Sequence, residues 1–239
     1  MKLLKVITVL LLFASMLPVS VISAADGQES APIIVKTEKL NYEGENFELV
    51  TWKNNDGSIY YTIPTNVKNK EKIAEYTNNY IMGDRGKEFS TQGWKHDWNE
   101  FYENWDRDGK IQWSISGFNE EAYLAPITEN RVVINDGAIL ASYAGSGNAD
   151  KIVVRYSYTF NGTGLDISFP PTLKVESTKV SWTSDAVTNT WYVSTPSKGG
   201  QGKSRLLILD TDIEAGADIY KGSYIYRPYV NDTLGYPYP

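Results

Sequence analysis

"GWKHDWNEFYENWDRDG", residues 93–109, holds three of the chain's seven tryptophans and its single histidine. Read at 3.6 residues per turn, Trp94, Trp98, Phe101 and Trp105 fall within about 60° of one another, with Tyr102 beside them. Asn99, Glu100, Glu103 and His96 take the opposite face. Thr91 stands where an N-cap belongs, and Gly109 lies just past the end. This spacing predicts an amphipathic helix with its aromatic stripe turned into a core. Each ring would bury roughly 150–250 Å², and four wet rings would leave an apolar patch that soluble monomers avoid. A sugar-stacking or membrane-inserting face is the alternative. The acidic opposite side argues against the membrane, because interfacial helices carry Lys and Arg there.

Working outward, the N-terminal side reads as strands at residues 32–39, 47–53 and 58–63, with Asn55-Asp56-Gly57 as a tight turn. Val67, Ile73, Ala74, Thr77, Tyr80 and Ile81 share one face of a helix over residues 66–82, and Gly83 caps it. Beyond Lys110 the period becomes two. Ile111, Trp113 and Ile115 alternate with polar residues, as do Ile152, Val154, Tyr156, Tyr158 and Phe160. Asn135-Asp136-Gly137 carries a second hairpin signal, and the change of phase near Ser177 predicts a bulge. Leu206 to Leu209 is apolar on both faces and predicts a central strand. The expected fold is mainly β: an antiparallel β-sandwich over residues 110–239, with an N-terminal α+β elaboration of two short helices over residues 25–109. The two parts are expected to form one compact unit.

The first 24 residues read as a secretory signal peptide. Lys2 and Lys5 precede the apolar run of residues 6–17, and small residues around Ala24 suit signal peptidase. The expected location is secreted and extracellular, with no transmembrane segment in the mature form. There is no cysteine. A chain of this length can bury a core without disulfides, and a cysteine-free exported protein suits a Gram-positive source. Removing the leader with its two lysines leaves 21 basic and 29 acidic residues, a net charge of −8. That balance opposes nucleic acid, whose phosphates need clustered Lys and Arg.

Three groups of residues carry candidate chemistry. Asn104, Asp106 and Asp108 alternate before Gly109, and Lys110 would offer a carbonyl. This order resembles the first eight positions of an EF-hand calcium loop and predicts a structural calcium ion. The match departs at Asn104, where Asp is usual, and at Ile115, where a bidentate Glu belongs. An Asp-Gly turn accounts for the same residues. Asp210, Asp212 and Glu214 alternate on a strand, the placement a carboxylate-dependent glycan hydrolase could use. Tyr224, Tyr226, Arg227, Tyr229, Tyr236 and Tyr238 form a tyrosine-rich end suited to recognition. His96 with Glu100 one turn on reads as a solvated pair. The chain shows no HExxH or GxSxG, no phosphate-cradling glycine loop, and one histidine. The expected activity is therefore non-enzymatic binding of an extracellular polymer or cell surface, with an antibacterial or toxin-like effector in the same class. A glycan hydrolase and a structural matrix component are the alternatives.

Overall fold

The computed structural model describes residues 31–55, 57–82, 94–124, 127–205 and 209–234. Within residues 31–239, a single unit, strands dominate and every pairing is antiparallel. The first sheet begins with β1 (Ile33–Tyr42), β2 (Glu45–Lys53) and β3 (Ile59–Thr62). The β1–β2 turn places Glu43 and Gly44 both at positive φ, and Gly57 takes the same region between β2 and β3. One helix follows, α1 (Lys70–Met82), inside the range that the 3.6-residue period predicts. Ile73, Ala74 and Thr77 are its buried face, and Tyr76 packs against Tyr42 and Phe47. The Lys70 ammonium anchors its start, donating to the carbonyl oxygens of Tyr143, Gly145 and Gly147.

The segment quoted first is a strand, not a second helix. β4 (Trp94–Asp106) turns at Arg107 and Asp108 into β5 (Gly109–Leu124), and the two pair without a break from Asp106↔Gly109 to Trp94↔Glu121. The physical reason lies in the spacing. Residues four apart share a face in a helix and in a strand alike, so Trp94/Trp98 and Phe101/Trp105 satisfy both periods. What separates the two structures is the partner strand, β5, which follows directly after the Arg107-Asp108 turn and lies outside the quoted window. In the strand the predicted stripe divides. Trp98 and Tyr102 turn inward, half-buried against the core, whereas Phe101 and Trp105 face outward at 55% and 40% exposure. The Trp98 indole N–H donates to the buried Asn119 side chain at 3.1 Å.

β6 (Ile127–Ile134) and β7 (Gly137–Tyr143) both run antiparallel to β5. Asn135-Asp136-Gly137 therefore does not make a hairpin. It is a jog in one long course, with the register moving by one residue between Gly117↔Ile134 and Ser114↔Ala138. β13 (Tyr192–Ser197) and β14 (Gly200–Arg205) follow the same course on the far side, with the Asp136 carboxylate accepting from Gly199 N–H. β9 (Asp166–Ser168) closes that edge.

The second sheet is built on β8 (Ala149–Asn161) and β15 (Asp210–Lys221), paired over eleven positions. β10 (Lys174–Glu176), β11 (Lys179–Thr183) and β12 (Val187–Thr190) lie on the β8 side. β16 (Tyr224–Tyr226) and β17 (Tyr229–Leu234) lie along β15. Ser177, at positive φ, sits in the two-residue turn between β10 and β11, so the phase change there marks a hairpin and not a bulge. Leu209 is fully buried; its three apolar neighbours lie outside the described residues. The inward residues of both sheets belong to one core. Trp113 of β5 is fully buried in it, 6.4 and 5.9 Å from the rings of Tyr156 and Tyr158 on β8, with its indole N–H bound to Ser197 Oγ. No helix among the described residues is long and apolar enough to cross a membrane.

Two substitutions test this packing in denaturant unfolding. Trp113→Ala should cost about 3–5 kcal/mol, the usual range for emptying a large aromatic site. Gly117→Ala should cost about 1–3 kcal/mol, because a Cβ there meets the Val133 carbonyl and the Trp98 ring. A Gly117→Ala variant as stable as the parent would overturn the close approach of β6 and Trp98 to β5.

Candidate functional site

Alternation on β8 and β15 decides what the second sheet shows to solvent. Tyr156, Tyr158, Ile213, Ala215 and Ala217 point inward and are buried. Arg155, Ser157, Glu214, Gly216 and Asp218 consequently face out. Register then assembles rows across four strands. Ser181, Ser157, Glu214 and Asn231 form one; Thr183, Arg155, Gly216 and Tyr229 form the next. Ser181, Ser157 and Gly216 are short, and their neighbours are long, so the sheet is dished between them. The depression has a volume of about 270 Å³ and is bordered by Arg155, Lys179, Glu214 and Tyr229.

Its polar groups are fixed from several sides. The Glu214 carboxylate accepts from Ser157 Oγ at 3.0 Å and from the Lys179 ammonium at 3.2 Å. Burial alone would raise its pKa, but the hydrogen bonds from Lys179, Ser157 and Tyr229, with the charge of Lys179, outweigh that and hold it below the ordinary value. Burial, followed by the Glu214 charge and hydrogen bond, pushes the Tyr229 phenol up, so it stays protonated and donates. Arg155 pairs with Asp218 at 3.0 Å, and Arg227 reaches the other Asp218 oxygen at 3.4 Å. The arrangement offers donors and acceptors together beside an exposed ring.

The residues singled out from sequence are distributed as follows. Glu214 and Tyr229, nominated for different reasons, meet at the depression. Asp212 lies one row away, receiving hydrogen bonds from Asn161 and Thr233, and Asp210 is at the start of β15. Tyr226 is core, against Tyr143, while Tyr224 is exposed. The Arg107 guanidinium lies 5.0 Å from the ring centres of both Tyr224 and Tyr226. Arg227 is exposed, and Tyr236 and Tyr238 lie outside the described residues.

The predicted calcium ligands occupy the β4–β5 hairpin. The Asn104 amide donates to the Tyr229 carbonyl, the Asp106 carboxylate accepts from Arg227 N–H, and Asp108 pairs with Arg107. The Lys110 ammonium is on the other face of the hairpin, against Glu103. Among the described residues no group of three or more His, Cys, Asp or Glu is placed to hold a metal ion. Sequence reading missed Arg155, Ser157, Lys179, Ser181 and Gly216. The wet face of β8 was visible in its alternation, but nothing local specified which strands would flank it.

Compared with protein-family models and with curated proteins, the chain matches none.

Glu214 supplies a pH test of the site. Its folded-state pKa is depressed, so the stability it contributes is complete above its unfolded value of 4.5 and is lost as pH falls through the lower folded value. Glu214→Gln should remove that component. The expected result is a shallower loss of melting temperature below pH 4.5 in the variant than in the parent; parallel acid profiles would show Glu214 unpaired.

Proposed function

We propose that this is a secreted protein whose two sheets stack as a β-sandwich and present the dished outer face of the second sheet to an extracellular glycan. The leader-like first 24 residues support export. The observation that carries the binding assignment is the convergence of Arg155, Lys179, Glu214 and Tyr229 around a floor of Ser157, Ser181 and Gly216. A sugar ring carries hydroxyls that donate and accept around its edge, and C–H faces that stack on aromatic rings. The depression supplies each counterpart. Its shallowness suits a polymer passing across it, in contrast to an enclosed small-molecule cavity.

Glu214 also bears on the choice between binding and hydrolysis. A glycosidase needs one carboxylic acid still protonated near neutrality and a second carboxylate ionised. Lys179 and its companions hold Glu214 ionised, a state suited to accepting hydrogen bonds from hydroxyls and not to the acid's role. The binding reading rests on the lining of the depression, and the reducing-end assay separates it from hydrolysis.

The test is retention of the purified chain on insoluble peptidoglycan, chitin and cellulose, with soluble reducing ends assayed in parallel. Retention without released ends is expected on at least one polymer. Tyr229→Ala should weaken it about tenfold, on the scale of about 1–3 kcal/mol for losing a stacking ring. Gly216→Ala fills the floor and approaches only the flexible end of Arg155, at 3.3 Å. It should leave the thermal melt unchanged or slightly higher while reducing retention. Released ends abolished by Asp212→Asn or Glu214→Gln would instead identify a hydrolase.

A further inference from the structure

A second concavity, of about 320 Å³, lies on the outer face of the first sheet, between α1 and the β4–β5 hairpin. Its walls are Glu71, Glu75 and Asn78 from the helix and Phe101, Glu103, Lys110 and Gln112 from the hairpin. Phe101 is among the most exposed large apolar residues described, although inward-facing positions exist on the same strand.

The hydrogen-bonding inventory of this groove is one-sided. Its donors converge on a single carboxylate. Lys110 Nζ is 3.0 Å from Glu103, Gln112 Nε2 donates to it at 2.7 Å, and the neighbouring Trp105 indole N–H reaches it at 3.2 Å. Lys110 is only 6% exposed and also lies 4.7 Å from the centre of the Trp105 ring. Burial tends to raise the Glu103 pKa, but these three donors outweigh it and keep the carboxylate ionised. What is left open to solvent is chiefly the Glu71 and Glu75 carboxylates. Glu71 is exposed and 3.7 Å from Lys110, a loose pair. Glu75 is exposed, and the Asn78 side-chain oxygen accepts no hydrogen bond within the described structure. The face of Phe101 presents negative π density.

We infer that this groove is a binding site for an organic cation, an ammonium or guanidinium carried on an apolar stem. Such a group supplies donors to the open Glu71 and Glu75 carboxylates, and its charge is attracted to the Phe101 face. Its stem would cover ring surface now in water. A bare divalent ion satisfies the carboxylates but leaves the exposed ring without a role. The volume is at the lower end of the range of about 300–1,000 Å³ for small-molecule sites, which fits one side chain or one short amine. The site is on the opposite outer face from the depression and does not depend on that assignment.

The probe is spermidine, titrated calorimetrically into the purified chain at low and at physiological ionic strength, with magnesium chloride and diacetylated spermidine as comparisons. Saturable binding at one site per chain is expected, stronger than that of magnesium and lost on acetylation. Phe101→Ala should weaken it about fivefold, the factor expected of an exposed cation–π contact. Glu75→Gln should weaken it comparably. Both positions are exposed, so thermal melts matching the parent would show that folding is intact. Tyr229→Ala should leave spermidine binding unchanged, which separates this site from the glycan surface. Magnesium binding as tightly as spermidine, Phe101→Ala retaining full affinity, or an absence of saturable binding would each overturn the assignment.

Discussion

The buried indole of Trp113 is the contact on which the arrangement of both sheets depends. A tryptophan with no exposure must place its N–H on a partner, and Ser197 Oγ accepts it from the far side of β7. Its ring meanwhile packs on Tyr156 and Tyr158 of β8. One side chain thus relates three strands of two sheets. A slip of one residue in β5 or β8 would turn every inward group to solvent, so the register is strongly determined. Tyr156 and Tyr158 pointing in is the same fact as Arg155 and Ser157 pointing out. The chemistry of the outer face is the complement of the core.

That complementarity explains what could be read from residues alone. The two-residue period at Ile111–Ile115 and Ile152–Phe160 fixed inward and outward sides correctly, because alternation is a local property of the chain. The helix at α1 was equally legible, since Ile73, Ala74 and Thr77 mark a buried stripe with no competing two-residue pattern. The quoted aromatic segment was not legible, because spacings of four belong to both periods. Only pairing with Gly109–Leu124 breaks the tie. Asn135-Asp136-Gly137 failed for a related reason. The same residue types serve a reversal and a bulge, and only the direction of the next strand distinguishes them.

The residues around the depression show the same division more sharply. Glu214 and Tyr229 attracted notice separately, one as a carboxylate on a strand and one as part of a tyrosine-rich end. Their meeting follows from the register Gly216↔Tyr229, while Arg155 and Lys179 arrive from β8 and β11. Four strands contribute, from positions 155 to 229, and no window of sequence holds them together. Gly216 was equally silent. In a strand it reads as a weakness, yet between Arg155 and Tyr229 it is what lowers the floor.

The two outer faces differ in how their charges are balanced, and under the two proposals this separates the ligands each would accept. The one carboxylate lining the depression, Glu214, is paired with Lys179, and beside it Asp218 is paired with Arg155 and Arg227. A ligand arriving there meets little net field and must succeed by hydrogen bonds and stacking, which favours neutral hydroxyl-rich chains. In the groove beside α1, Lys110 and the neutral donors are held by Glu103, and the remaining carboxylates lie open. A ligand there is attracted first by charge and then by the Phe101 ring. Strands hold most of these groups, so neither face needs to pay much ordering entropy on binding, and selectivity follows from which pairs the fold has already satisfied.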